Sequence, residues 1–337
     1  MQVQAKAAKE VGAKLESYSF EIESPQEFQC SIAVEYCGIC HSDLHIIDND
    51  WGMSQYPVIA GHEVIGIVKE IGSQVNHLKI GDRVGVGWQK SACLQCSDCL
   101  KGNENLCNQN QPLIVPGPGG FANHLLTDSR FAFPIPQGID PKVAGPLLCG
   151  GITVYGGLRA AGMSSGQEIG VIGIGGLGHM AVQFASKLGN RVTVFTTSED
   201  KAEFAHQLGA DRAIVVSKGE APPKPDRLLN ILLSTVPASL DWGAYLEHLD
   251  SDGTLSFVGV SDAPLNLPIF PLIMKRRRIL GSPIGGRGMM IEMLSIADRF
   301  KIEPIVEVFP SDNINEAIDK VRSNSIRYRA VLDFNQS

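Results

Sequence analysis

No run of apolar residues in this chain approaches the about 18 that a membrane-spanning helix needs, so no such helix is expected. Met1 to Phe20 lacks both an apolar core and a small-residue cleavage site, so no secretory leader is read there. Disulfide pairing is therefore not expected, and the eight cysteines suit a reducing, cytoplasmic setting in which thiolates remain available as ligands. Basic residues are in deficit: 29 Lys and Arg stand against 36 Asp and Glu, a net charge of −7, which leaves no broad cationic face for a nucleic-acid backbone. The one dense basic run, Lys275-Arg-Arg-Arg278, reads as a solvated edge. Internal repeats, heptads and low-complexity tracts are absent as well. What remains is an ordinary soluble composition, 44% hydrophobic and 19% charged over 337 residues, long enough for two cores.

Four of the cysteines, Cys93, Cys96, Cys99 and Cys107, fall in one short loop as C-x2-C-x2-C-x7-C. The short gaps wrap three thiolates around one tetrahedral ion and the fourth closes it, which predicts a structural zinc site with no open position. A ferrous ion is the other metal such a cluster accepts. A closed site fixes structure and cannot polarise a substrate, so the chemistry belongs to other residues.

The chain changes texture near Cys149. Before it, short β segments alternate with Gly and Pro: Ser31 to Tyr36, Glu63 to Ile71, Arg83 to Gly87, Phe131 to Ile135. After it, apolar strands alternate with helical stretches: Ile169 to Ile174, Met180 to Leu188, Arg191 to Phe195, Lys201 to Leu208, Ala213 to Val216, Leu228 to Leu233 and Leu255 to Val258. Such a βαβ series implies an α/β unit with a parallel sheet. Ala221 to Pro225 reads as a loop. Helices near Met289 to Phe300 and Ile314 to Ser323, with a closing strand Tyr328 to Phe334, give a mixed ending able to rejoin the first half.

Within the βαβ part, Gly173-Ile-Gly175-Gly176-Leu177-Gly178 is G-x-G-x-x-G, placed after an apolar strand and before a helix. That setting is the phosphate-binding turn of a dinucleotide site: the first glycine makes the turn, the second admits a pyrophosphate, the third lets helix and strand touch. The following strand ends in Thr196, Thr197, Ser198, Glu199, Asp200 and Lys201. Hydroxyls and an ammonium stand there where an NAD site normally presents a carboxylate, so NADP(H) is the expected cofactor.

Two further segments hold thiolate, imidazole and carboxylate groups: Cys40-His41-Ser42-Asp43-Leu44-His45 and Gly61-His62-Glu63. With Gly81 to Gly87 and Gly145 to Tyr155, they make the chain resemble the zinc-dependent alcohol dehydrogenases of the medium-chain dehydrogenase/reductase superfamily, in the cinnamyl-alcohol-dehydrogenase-like, NADP-dependent branch. The resemblance spans nearly the whole chain. It implies a GroES-like β-rich catalytic domain, 1–148 with 286–337, around a Rossmann domain, 149–285, with substrate and nicotinamide meeting in the cleft. It assigns Cys40, His62 and Cys149 to a catalytic zinc, a donor set of which alcohol dehydrogenases are themselves the standard example, and Glu63 as an alternative ligand. It further implies that Asp43 orients His62, that Ser42 hands a proton to the substrate oxygen, and that His45 links that hydroxyl to solvent. Trp51, Met53 and Trp88 match substrate-pocket positions, and Gly281 to Gly285 the segment near nicotinamide. Cys30 and Cys37 read as packed thiols. By analogy with family members that dimerise through edge strands of the cofactor domain, a homodimer is expected, with Leu265 to Ile273 as the region to inspect.

The loop Asn108 to Gly120 is shorter than is usual in that branch, so a hydrophobic aldehyde, rather than a cinnamyl substrate in particular, is expected. The implied reaction is NADPH-linked reduction of an aldehyde to a primary alcohol. Its rivals are NAD-linked oxidation of a polyol or secondary alcohol, and a non-catalytic protein that keeps the zinc and nucleotide sites.

Overall fold

The computed structural model describes residues 1–261 and 264–335. The chain divides into two units, Met1–Cys149 with Gly286–Ser337, and Gly150–Gly285.

In the first unit a seven-stranded sheet runs in the order Val306–Pro310, Arg329–Asp333, Gln29–Ile39, Glu63–Ile71, Arg83–Val86, Ala132–Pro134, with His124–Asp128 also pairing with Gln29–Ile39. The strand Gln29–Ile39 is central and long because Cys30, Ile32, Val34, Cys37 and Ile39 supply buried apolar side chains along its length. Its antiparallel neighbours set Gly38 opposite Glu63 on one side and opposite Val331 on the other. The end of this sheet therefore gathers residues from three distant stretches of chain. The helix Ile314–Arg322 buries Ile314, Ala317, Ile318 and Val321, one face at helical spacing, and its Arg322 holds Asp48 through paired hydrogen bonds of 2.7 and 3.0 Å. Asp48 closes the short helix His41–Ile47, so that helix is tied at its far end.

The second unit is a six-stranded, wholly parallel sheet in the order Arg212–Val215, Arg191–Thr196, Glu168–Ile172, Leu229–Ser234, Leu249–Phe257, Arg278–Gly281. Numbered along the chain this is 3-2-1-4-5-6, the doubly wound order that opens a crevice beside its first strand. The inner strands are continuous apolar runs because helices cover both faces. The expected strand Leu255 to Val258 is the end of a longer one, Leu249–Phe257, which stops one residue earlier and whose first half, with Asp250-Ser-Asp-Gly253, is too polar for hydrophobic periodicity to reveal.

Two helices arise against local propensity. Gly150–Ala160 contains four glycines, yet it is helical because its glycines are contact positions: a Cβ on Gly150 would meet Met180 Cε at 2.5 Å, and one on Gly157 would meet Val258 Cγ1 at 2.5 Å. Ile269–Lys275 covers much of the region named above for assembly; it is a helix, and the sheet edge is Arg278–Gly281 instead. The basic run beside it is only partly solvated. Arg276 pairs with Asp252, but Arg277 is buried and donates to the Leu249 carbonyl.

Gly178 opens the helix Gly178–Lys187 directly on the turn below, where any Cβ would run into the Gly173 carbonyl oxygen, a backbone atom that cannot swing away. Gly178→Ala is expected to cost about 1–3 kcal/mol through this overpacking. Thermal unfolding checks it, and an unchanged midpoint would mean that the turn and helix have room to spare.

Candidate active site

Cys40, His62, Glu63 and Cys149 bring one potential ligand atom each to within 4.8 Å of one another. Cys40 follows the central strand and is the N-cap of the helix His41–Ile47; His62 immediately precedes the neighbouring strand, which Glu63 opens; Cys149 follows the 3₁₀ turn Gly145–Leu148. His62 Nε2 lies 3.1 Å from Cys149 Sγ, and Cys149 Sγ lies 3.8 Å from Cys40 Sγ.

Asp43 organises this cluster. Fully buried, its Oδ2 accepts from the Cys40 backbone N–H at 2.8 Å, while its Oδ1 accepts from the Gly61 N–H and pairs with His62 Nδ1, both at 2.8 Å. The last contact fixes the ring proton on Nδ1 and leaves the Nε2 lone pair facing the thiols, the form a metal requires. Electrostatics favour anionic sulfur. The hydrogen bond from Cys149 holds the Cys40 thiol well below its usual range despite burial, aided by Arg329 and His62; the shared proton pushes Cys149 well above. Burial drives the His62 pKa down, but Asp43 and Cys40 together outweigh it and raise the value. Two thiols, one oriented imidazole and a carboxylate fit a zinc ion.

Sequence reasoning missed Arg329. Glu63 is fully buried, and burial pushes its pKa up, a shift that Arg329 opposes through a direct side-chain ion pair. Arg329 reaches it from the strand Arg329–Asp333, across Gly38, whose absent side chain makes the room: a Cβ there would overlap the Glu63 carboxylate. The pair uses one carboxylate oxygen; Glu63 Oε2 is buried with no hydrogen-bond partner. One charge beside the apolar run Ala330-Val-Leu332 was the available signal.

Ser42 and His45 are half-buried neighbours at i and i+3 on the helix His41–Ile47. Ser42 Oγ lies 3.8 Å from Cys40 Sγ, and His45 Nδ1 lies 2.7 Å from Asp50 Oδ2, a second contact that the motifs did not disclose. The Trp88 ring stands edge-on to His62 at 5.1 Å, and Trp51 meets Trp88 at 6.0 Å and His45 at 5.0 Å. These rings wall one side of the cluster. Met53 is exposed nearby in sequence.

Cys93, Cys96, Cys99 and Cys107 form the other group of metal-type donors among the described residues. Cys93 Sγ lies 3.5 Å from Cys107 Sγ and 3.9 Å from Cys99 Sγ. Backbone N–H groups aim at the sulfurs, Cys96 N to Cys93 Sγ and Gln109 N to Cys107 Sγ, both at 3.3 Å. The N–H groups of Gln95 and Cys96 bring the Cys93 thiol down to about 6, whereas burial lifts Cys99 to about 12. Four sulfurs gathered this closely, with backbone N–H groups reaching two of them, fit a closed zinc site.

In the second unit, Gly173 takes φ +88° and ends the strand Glu168–Ile172, so the chain turns sharply there. Gly175 is exposed, and a Cβ on it would meet nothing within 4 Å; Gly176 and Leu177 are half-buried. The turn thus presents open backbone at a helix N-terminus, which fits a pyrophosphate. Along the next strand Thr196 is buried, Thr197 and Lys201 are exposed, and Ser198 is half-buried at the N-cap of the helix Glu199–Gln207.

Comparison with known proteins gives the family and the fold. Residues 26–137 match the alcohol dehydrogenase GroES-like domain and residues 176–299 the zinc-binding dehydrogenase family. Aldehyde reductase AdhA of Synechocystis sp. is 40% identical over 335 residues, 99% of this chain and 100% of the relative. A cinnamyl alcohol dehydrogenase structure from Sorghum bicolor superposes with a TM-score of 0.91 at 34% identity, covering 100% of this chain and 99% of that one. A CAD from Helicobacter pylori, solved with NADP(H), gives 0.91 at 30% identity over 100% and 99% of the two chains. The chain belongs to the zinc-binding alcohol dehydrogenases, with a GroES-like unit and a Rossmann-type parallel sheet. Within the medium-chain dehydrogenase/reductase superfamily its place is the cinnamyl-alcohol-dehydrogenase-like branch.

Arg329→Met strands a buried carboxylate, and breaking such a pair typically costs about 3–5 kcal/mol. Urea unfolding should register that loss, and adding Glu63→Gln should recover part of it. A single variant as stable as the wild type would show that the pair does not hold this end of the sheet.

Proposed function

We propose that this chain is an NADPH-dependent aldehyde reductase that converts hydrophobic aldehydes to primary alcohols, reversibly, with zinc held by Cys40, His62 and Cys149. The observation that carries the reading is the donor cluster itself, with one Glu63 oxygen unpaired and an aromatic wall alongside. A bound zinc supplies Lewis acidity toward a carbonyl oxygen, and NADPH supplies the hydride. The chain's own residues do the rest. Asp43 keeps Cys40 and His62 in position, and Glu63, anchored by Arg329, stands by as an alternative ligand. Ser42 donates the proton that the new alcohol oxygen needs. His45, one helical step along and partly exposed, restores it from solvent with Asp50 holding its Nδ1. Trp88 and Trp51, with Met53, exclude water and favour apolar substrates.

The inserted unit is the NADPH domain, the glycine turn from Gly173 to Gly178 taking the pyrophosphate. Thr197, Ser198 and Lys201 offer accessible donors to a 2′-phosphate, with Thr196 set back behind them. The four-cysteine loop holds a second, structural zinc. A homodimer is supported by the helix Ile269–Lys275, which leaves Ile269, Phe270, Ile273 and Met274 more than 60% exposed beside the edge strand Arg278–Gly281. Eight free thiols suit the cytoplasm.

Metal analysis should find two zinc ions per chain, and an aldehyde panel should show NADPH oxidised at least about tenfold faster than NADH, one charge-assisted contact being worth that much. A preference for NADH would overturn the cofactor assignment, and one zinc with no aldehyde-dependent turnover would leave a binding protein. Ser42→Ala should lower kcat by roughly 100-fold or more with NADPH binding unchanged, the scale of a lost general acid. Wild-type turnover in that variant would remove Ser42 from the proton path.

A further inference from the structure

The helix Arg287–Phe300 begins where the chain re-enters the first unit, and its start is poorly equipped on its own. Its N-cap is Gly286, which has no side chain to accept from the first-turn N–H groups, and its first residue is an arginine, a positive charge at the positive end of the helix dipole. Both deficits are met by one residue from the four-cysteine loop. Glu104, 5% exposed, accepts from the Arg287 backbone N–H through Oε2 at 3.0 Å and pairs with Arg287 Nε through Oε1 at 3.3 Å. The guanidinium also lies over the Phe131 ring at 5.6 Å.

Glu104 is itself held by the loop. It starts the 3₁₀ turn Glu104–Leu106 that runs into Cys107, the Cys107 N–H returns to its carbonyl at 3.2 Å, and buried Gln89 donates to the same carbonyl at 2.7 Å. The approach is close enough that a Cβ on Gly286 would collide with the Gly102 carbonyl. A glycine N-cap is thus required by the loop that replaces its missing acceptor.

We infer that the four-cysteine loop is a clamp, in which Glu104 is the positioning residue that caps the helix Arg287–Phe300, so that order in the loop and order at residues 286–290 are coupled. The inference rests on the proposed structural zinc only for the part the metal plays: thiolates gathered at Cys107 fix the turn that aims Glu104. Coupling is reciprocal, so a broken cap also loosens the metal. The segment just upstream, Gly281 to Gly285, is the one expected near nicotinamide, and its downstream end is what the clamp fixes.

Hydrogen exchange of the full-length holoenzyme, with variants at Glu104, tests this. Glu104→Met keeps the buried volume and removes the acceptor; it should raise amide exchange at 287–290 roughly tenfold, as loss of an N-cap does. Glu104→Gln keeps an acceptor oxygen and should restore most of the protection. In Glu104→Met, one zinc per chain should also pass to a chromogenic chelator several-fold faster than in the wild type. Exchange in Glu104→Met equal to the wild type, or equal loss in Met and Gln variants, would overturn the clamp. A wild-type chain that releases zinc from one site only would instead sink the structural-zinc reading and with it the metal's part in the coupling, while the exchange comparison still decides the cap.

Discussion

One buried carboxylate holds the cluster of metal-type donors together. Asp43 takes hydrogen bonds from the Cys40 backbone, the Gly61 backbone and the His62 ring, and so binds the end of one strand to the approach of the next. A carboxyl group in such a place is tolerated only when its acceptor sites are filled. Here the filling is what fixes the geometry: two prospective ligands are set relative to each other by an acid that ligates nothing. The remaining donors are arranged around that core, Cys149 on its own turn and Glu63 on its ion pair.

Charge sets the character of the site as much as shape does. Cys40, Cys149, Glu63 and Asp43 can bring four negative charges into the interior, and the guanidinium of Arg329 is the fixed cation that faces them. A dication would complete the balance and give the unpartnered Glu63 oxygen a counter-charge in a place where orphaned polar atoms are costly. The four-cysteine loop meets a related problem near the surface, where backbone N–H groups reach the sulfurs of Cys93 and Cys107. Clustered thiols therefore recur in two settings, one braced by side-chain acids and the other contacted by main-chain N–H groups.

Much of this was legible in the sequence because local spacing carried it. The C-x2-C run, the glycine turn between strand and helix, and the alternating βαβ pattern are short-range signals, and the parallel sheet follows from them. Asp43 as the partner of His62 came from resemblance, and the hydrogen bond is there at 2.8 Å. What escaped was long-range or contrary to propensity. Arg329 acquires meaning only through the register that places Val331 opposite Gly38 and Gly38 opposite Glu63. The glycine-rich helix Gly150–Ala160 forms because neighbours fill the space its side chains would take, and no window of sequence contains those neighbours. Asp50 beside His45 lay within reach, five residues on, but no periodicity singles out an exposed acid.

The strand Arg329–Asp333 lies against the strand Gln29–Ile39, and its arginine meets a glutamate 266 residues away. At about 5–20 residues per second, a ribosome takes on the order of tens of seconds to travel from one to the other. Throughout that interval the nascent first half has an uncovered strand edge and a glutamate without its guanidinium, while the whole parallel-sheet unit is synthesised and has time to fold alone. The protein thus finishes its oldest part last. A polypeptide that stops shortly before residue 329 lacks both the strand that pairs with Tyr36 to Ile39 and the guanidinium that meets Glu63.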